Sequence, residues 1–85
     1  MGQQLFEKLK VTLREIGYSD DEFRLELTDS GKVGGHIVSK KFRGASQIKR
    51  QKTLWKELKK RLSEKDLRNI IVLLTVTPAE VGADD

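Results

Sequence analysis

The residues of this chain that could do chemistry are mostly cations gathered in one stretch. Between positions 40 and 61 stand ten basic side chains, Lys40, Lys41, Arg43, Lys49, Arg50, Lys52, Lys56, Lys59, Lys60 and Arg61, against a single acid, Glu57, a local charge of +9. The 85-residue chain carries +4 in all, so the remainder sums to −5 and the positive field is a local feature. Ammonium and guanidinium groups at that density suit a polyanionic partner. Residue types for catalysis are scarce by contrast. His36 is the one imidazole; as a general base it needs a nucleophile or substrate beside it, and as a zinc ligand about three companions that the pattern does not supply. A strand histidine without chemistry is the expectation. Ser39, Ser46 and Ser63 fall where strand ends and helix caps belong, with no Gly-x-Ser-x-Gly elbow around them. Asp20-Asp21-Glu22 reads as a solvated acidic loop. These residues point to a protein that is not an enzyme, with no catalytic residue, metal site or cofactor.

The cations need a rod to hold them, and the pattern from Ser46 to Leu62 is helical. At 100° per residue Ile48, Gln51, Trp55, Leu58 and Leu62 fall on one stripe, predicted to pack, while Lys49, Thr53, Lys56 and Lys60 lie opposite, with Lys52 and Lys59 on the flank. If Lys49, Lys52, Lys56, Lys59 and Lys60 each met a phosphate, affinity would come from counterion release and fall steeply with salt. Selectivity would be weak, since lysine is a point charge and Trp55, on the packed stripe, is expected in the core and not as a base platform. Lys40, Lys41, Arg43 and Arg50 complete the candidate nucleic-acid-binding set. Two other motifs carry less. Gly31-Lys32-Val33-Gly34 has the spacing of a nucleic-acid clamp, but such a clamp joins two helices and this one joins two strands, so a hairpin explains it. A helix-turn-helix centred on Ser63 would have a second helix one turn long bearing Glu64 and Asp66, a poor reader of the major groove.

Around that rod, Leu5, Leu9, Leu13 and Ile16, with Phe6 at the margin, predict a helix over about residues 3–16, stopped at Gly17. Phe23, Leu25 and Leu27 alternate with Arg24, Glu26 and Thr28, the period of a strand with one wet face. Asp29-Ser30-Gly31 supplies turn chemistry, with Asp29 able to bond its own backbone, and a second strand over Lys32 to Ser39 completes a hairpin. Gly34 and Gly35 mark a bulge or a close approach of another backbone. Phe42 is expected to anchor the basic connection on the core, and Gly44 to free the backbone before the helix. Ser63 caps a short helical turn through Arg68, Ile70 to Val76 is the most buried strand, and Thr77-Pro78-Ala79-Glu80 opens a terminal helix ended by Gly82. Ala83-Asp84-Asp85 is expected to fray. The order α-β-β-α-(α)-β-α gives an α/β (α+β) fold, a small mixed three-stranded sheet with its helices on one face. The other sheet face then needs a cover from the last helix or is an apolar patch for self-association, so the chain is expected as a monomer or a weak homodimer.

At 36% hydrophobic and 35% charged residues, one small domain over residues 1–85 is the expectation. No cysteine is present, which fits a reducing compartment and excludes disulfides and thiolate ligands. Met1-Gly2-Gln3-Gln4, without a basic region followed by an apolar run, is not expected to open a secretory signal, Phe6 breaks the myristoylation pattern, and the apolar run Ile70 to Leu74 is far short of the roughly 20 residues that span a bilayer. A cytoplasmic location without membrane contact follows as the expectation.

Three stretches taken together, His36-Ile37-Val38-Ser39-Lys40-Lys41-Phe42-Arg43-Gly44, Ile48-Lys49-Arg50-Gln51-Lys52-Thr53-Leu54-Trp55 and Leu74-Thr75-Val76-Thr77-Pro78-Ala79-Glu80, resemble the BolA family. The resemblance spans nearly the whole chain, and its most specific piece is the run Val38 to Gly44 followed by Arg50-Gln51-Lys52. It implies a fold similar to the class II KH domain and a small regulatory protein in transcription and stress response. A monothiol glutaredoxin in iron–sulfur work is the partner it implies, beside the DNA or RNA that the basic helix itself suggests. The chain departs from the pattern at the iron–sulfur role. Members in iron–sulfur work carry a histidine inside an Arg-His-Arg element, where Gln51 stands, and a cysteine or histidine in the hairpin loop, here Asp29 to Lys32. A neutral amide is a poor iron ligand, which weakens the adaptor reading. Gln51 is instead expected to be half-buried and to hydrogen-bond a carbonyl.

Overall fold

Leucines at helical spacing drive the first element. The structure, a computed structural model, describes residues 2–82, so the expected fraying of Ala83 to Asp85 lies outside the described residues. Helix α1 (Gly2–Ile16) buries Leu5, Leu9 and Leu13 and leaves Glu7, Glu15 and Arg14 in water. A single turn of 3-10 helix, Asp20–Glu22, leads into strand β1 (Phe23–Leu27). The acidic trio is thus more structured than a solvated loop. Arg14 grips Asp20 through two hydrogen bonds of 2.5 and 3.0 Å, and the Ser19 backbone N–H donates to Glu22 at 2.9 Å.

Strand β2 (Val33–Val38) pairs antiparallel with β1, from Phe23 opposite Ile37 to Leu27 opposite Val33. The hairpin loop is closed by Thr28, whose hydroxyl accepts from the Lys32 N–H at 3.0 Å and whose N–H donates to the Lys32 carbonyl at 2.8 Å. Asp29, the expected turn-former, is not the side chain used. Both readings of the glycine pair hold. The β2 register shifts between Val33 and Gly34, and a Cβ on Gly35 would stand 2.2 Å from the Arg24 carbonyl oxygen, so no larger residue fits there.

Helix α2 (Gln47–Arg61) follows a basic 3-10 turn, Lys40–Phe42, and helix α3 (Glu64–Arg68) leads to strand β3 (Ile70–Val76). Strand β3 lies parallel to β2, giving the sheet order β1-β2-β3 over the described residues. This is the α+β fold read from the sequence. The three serines do what caps do: Ser39, Ser46 and Ser63 accept from the N–H groups of Lys41, Lys49 and Asp66. The terminal helix is shorter than expected. Thr77 and Glu80 form the reciprocal cap, but the element is a four-residue 3-10 turn, Pro78–Val81, closed by Gly82.

One cluster joins α1, α2 and the inner sheet face: Leu9, Leu13, Phe23, Val33, Ile37, Phe42, Leu54, Leu58 and Leu73 are all buried. The outer face presents His36 between Arg24 and Leu74, and Gly34 beside Val72. The last turn does not cover that face, for Leu74 is 57% exposed and Val72 44%. Strand β3 is therefore the most apolar strand but not buried on both sides.

Candidate nucleic-acid interface

Helix α2 positions the cations, and what it packs against sets which of them meet water. The line Arg50, Leu54, Leu58 faces the interior. The sequence placed the seam almost one residue step away, about 80° around the axis, by assigning Ile48 to it. Ile48 is 69% exposed and Trp55 only half-buried. The reason is Arg50. It is 8% exposed, and its guanidinium donates to the Ala45 carbonyl (2.8 Å), the Thr75 carbonyl (3.1 Å) and the Glu80 carboxylate (2.8 Å) while lying over the Phe42 ring. A cation so held leaves the candidate binding set. With an aromatic ring beneath it and three acceptors on its Nε and Nη1 donors, it can pack where a wheel drawn by hydropathy would not put it. The N–H of Thr77 and then the Arg50 guanidinium hold the Glu80 carboxyl below its ordinary value.

Strand β3 is an edge, and alternate backbone carbonyls of an edge point outward. Helix α2 meets these with side chains. Gln47 donates to the Thr75 carbonyl at 2.9 Å, and Gln51 donates to the Leu73 carbonyl at 2.8 Å and to the Thr75 hydroxyl at 3.2 Å. The other end of the Gln51 amide accepts from the Trp55 indole N–H at 3.0 Å. The half-buried amide foreseen in the sequence is therefore right in kind, with a strand carbonyl in place of a loop carbonyl. Both of its ends are committed to the fold.

The remaining cations divide. Lys41 donates to the Gly17 carbonyl and lies 5.0 Å from the centre of the Tyr18 ring. Lys60 and Arg61 share Glu57, at 3.3 and 2.8 Å, and Arg61 first, then Lys60, hold that carboxyl below its ordinary value. Lys40 and Arg43 are exposed on the connection, where Gly44 takes φ +76° and turns the chain toward α2. Phe42 beneath them is buried, as its anchoring role requires. Lys49, Lys52, Lys56 and Lys59 are exposed along one arc of α2, opposite the buried line, and among the described residues none has a carboxylate partner. Their charges face water together.

Two grooves flank this arc. One, of about 500 Å³, is lined by Gln51, Lys52, Trp55, Lys56, Lys59 and Lys60. The other, of about 490 Å³, runs between the connection and α2 past Tyr18, Lys41, Arg43, Lys49 and Glu57. Trp55 is the residue that sequence reasoning missed. The stripe it shares with Ile48, Gln51, Leu58 and Leu62 argued for core, and it does pack against the core, but it is only half-buried; Lys52 and Lys59, three before and four after it, are its neighbours on the helix surface and were the available signal. The helix-turn-helix alternative gains nothing: α3 has five residues, and its Asp66 is paired with Lys8 of α1 at 2.8 Å. No group of three or more histidine and carboxylate side chains able to hold a metal occurs among the described residues, and no helix there is long and apolar enough to cross a membrane. No protein-family profile, curated protein or solved structure matches the chain.

Proposed function

We infer that the protein binds nucleic acid through the lysine face of α2, as a small non-enzymatic regulatory module of BolA-like kind working in the cytoplasm. The observation that carries this reading is the arc of Lys49, Lys52, Lys56 and Lys59, four cations on one helix that, among the described residues, have no carboxylate paired with them, the nearby Glu57 being taken by Lys60 and Arg61. Such an arc gains affinity by displacing counterions from a phosphate backbone. Four phosphate contacts give a slope of log affinity against log salt of roughly −3 to −4.

An electrophoretic shift titrated with salt tests it. Retention near physiological ionic strength, that slope, and loss of binding in a Lys52→Glu, Lys56→Glu double variant are the expected results; no shift, or one indifferent to salt and to both substitutions, overturns the reading. The alternative of an adaptor for a monothiol glutaredoxin draws no support from Gln51, whose amide is fully engaged by Leu73, Thr75 and Trp55. Co-purification of a brown complex with such a glutaredoxin would revive it.

A further inference from the structure

Aromatic rings in this protein tend to carry a cation. Lys10 lies over Phe6, Lys41 over Tyr18 and Arg50 over Phe42, at 5.5, 5.0 and 5.9 Å. Trp55 sits among Lys52, Lys56, Lys59 and Lys60, in the densest group of ammoniums on α2, yet among the described residues no cation covers its ring. The indole is half-buried, so part of it lines the groove. It is also fixed: its N–H is held by Gln51, and Gln51 is anchored on the β3 edge. A rigid aromatic ring with one part packed on the core and another in a groove among exposed ammoniums is the arrangement that takes a flat ring carried on an anionic backbone.

Resting on the nucleic-acid reading above, we propose that the groove at Trp55 binds single-stranded nucleic acid, one base stacking on the indole while Lys52, Lys56 and Lys59 take the flanking phosphates. A duplex does not fit this use, because its bases hide their faces in the stack and a side chain on a helix surface meets only their edges. From Lys52 to Lys59 the helix rises about 10 Å, so the cations track a short run of backbone on either side of one base. An acidic peptide would pair with the same lysines but has no ring for Trp55. Stacking uses the π-face that every base has, and the ammoniums around the indole are point charges suited to phosphates, so the site is tolerant of base identity.

Trp55 is the one tryptophan in the chain, so its emission reports on the groove directly. The probes are oligothymidylate and oligouridylate of about twelve nucleotides, a DNA duplex of that length, heparin as a polyanion without bases, and polyglutamate. Quenching of Trp55 emission by both single strands, with little change on heparin, is expected; the two single strands also separate DNA from RNA preference. By anisotropy of labelled strands, Trp55→Leu should weaken single-strand binding about tenfold and leave heparin binding unchanged, while Trp55→Phe retains most of the single-strand affinity. That second variant guards against a fold defect, which would lower both. Salt-dependent binding without quenching, and indifferent to Trp55→Leu, overturns the stacking site and leaves the lysine-face reading standing. Failure of every nucleic acid to bind overturns both. Polyglutamate binding as tightly as the single strands assigns the face to an acidic protein and overturns the proposal.

Discussion

The two grooves beside α2 have nearly the same volume and much the same ingredients, lysines around aromatic rings, yet they differ in how far their cations are tied into the fold. On the connection side Lys41 is tied to Gly17 and Tyr18, Arg50 closes over Phe42, and Glu57 lines the wall. Those cations hold the chain together. On the Trp55 side the ring is uncovered and Lys52, Lys56 and Lys59 have no carboxylate partner among the described residues. Composition therefore says little about which cations are left free to meet a partner. Whether a cation's hydrogen bonds are already satisfied inside the fold decides it, because a satisfied charge has little left to offer a ligand.

The largest break in that contrast should come from Arg50→Ala. It removes bonds to Ala45, Thr75 and Glu80 and opens space over Phe42, and a loss of roughly 2–3 kcal/mol in denaturant unfolding is expected. Stability equal to wild type would mean that Arg50 belongs with the lysines after all. Thr77→Ala, which deletes the cap that presents Glu80 to Arg50, should cost about 1 kcal/mol in the same measurement.

Acid probes the same pair more gently. Glu80, Glu57, Asp66 and Asp20 are each held below their ordinary values by hydrogen bonds, Glu80 by the Thr77 N–H and then Arg50, Asp66 by Lys8, Asp20 by Arg14. A depressed carboxyl contributes stability that is complete above its unfolded value, 4.5 for glutamate and 3.8 for aspartate, and lost as pH falls through the lower folded value. Melting temperature should be flat above about pH 5 and decline below it, modestly because these carboxylates are partly or fully open to water. The smallest effect belongs to Lys56→Ala. With no partner to lose, it should stay within about 0.5 kcal/mol of wild type while weakening nucleic-acid binding, the reverse of the Arg50 result.

Much of the fold was legible residue by residue. Ser46, Ser63 and Thr77 announced their helix starts, because a cap satisfies N–H groups two or three residues on and needs nothing remote. The hairpin, the bulge at Gly34 and the bounds of β3 follow from local period and small residues in the same way. The last segment was less legible. Its capping box forms, but four residues are too few for an α-helix to repay nucleation, and it stays a 3-10 turn.

What the order of residues fixed by itself was the sequence of elements and the presence of a cationic arc on α2, since both depend on neighbours a few positions apart. How α2 is rotated about its own axis was decided in three dimensions. Arg50 faces inward because Thr75 and Glu80, 25 and 30 positions further along, bring a carbonyl and a carboxylate to it. That rotation leaves Trp55 at the margin of the core, packed on it and reaching the rim of the lysine face, since the side of a helix that is buried is set by everything packed against it.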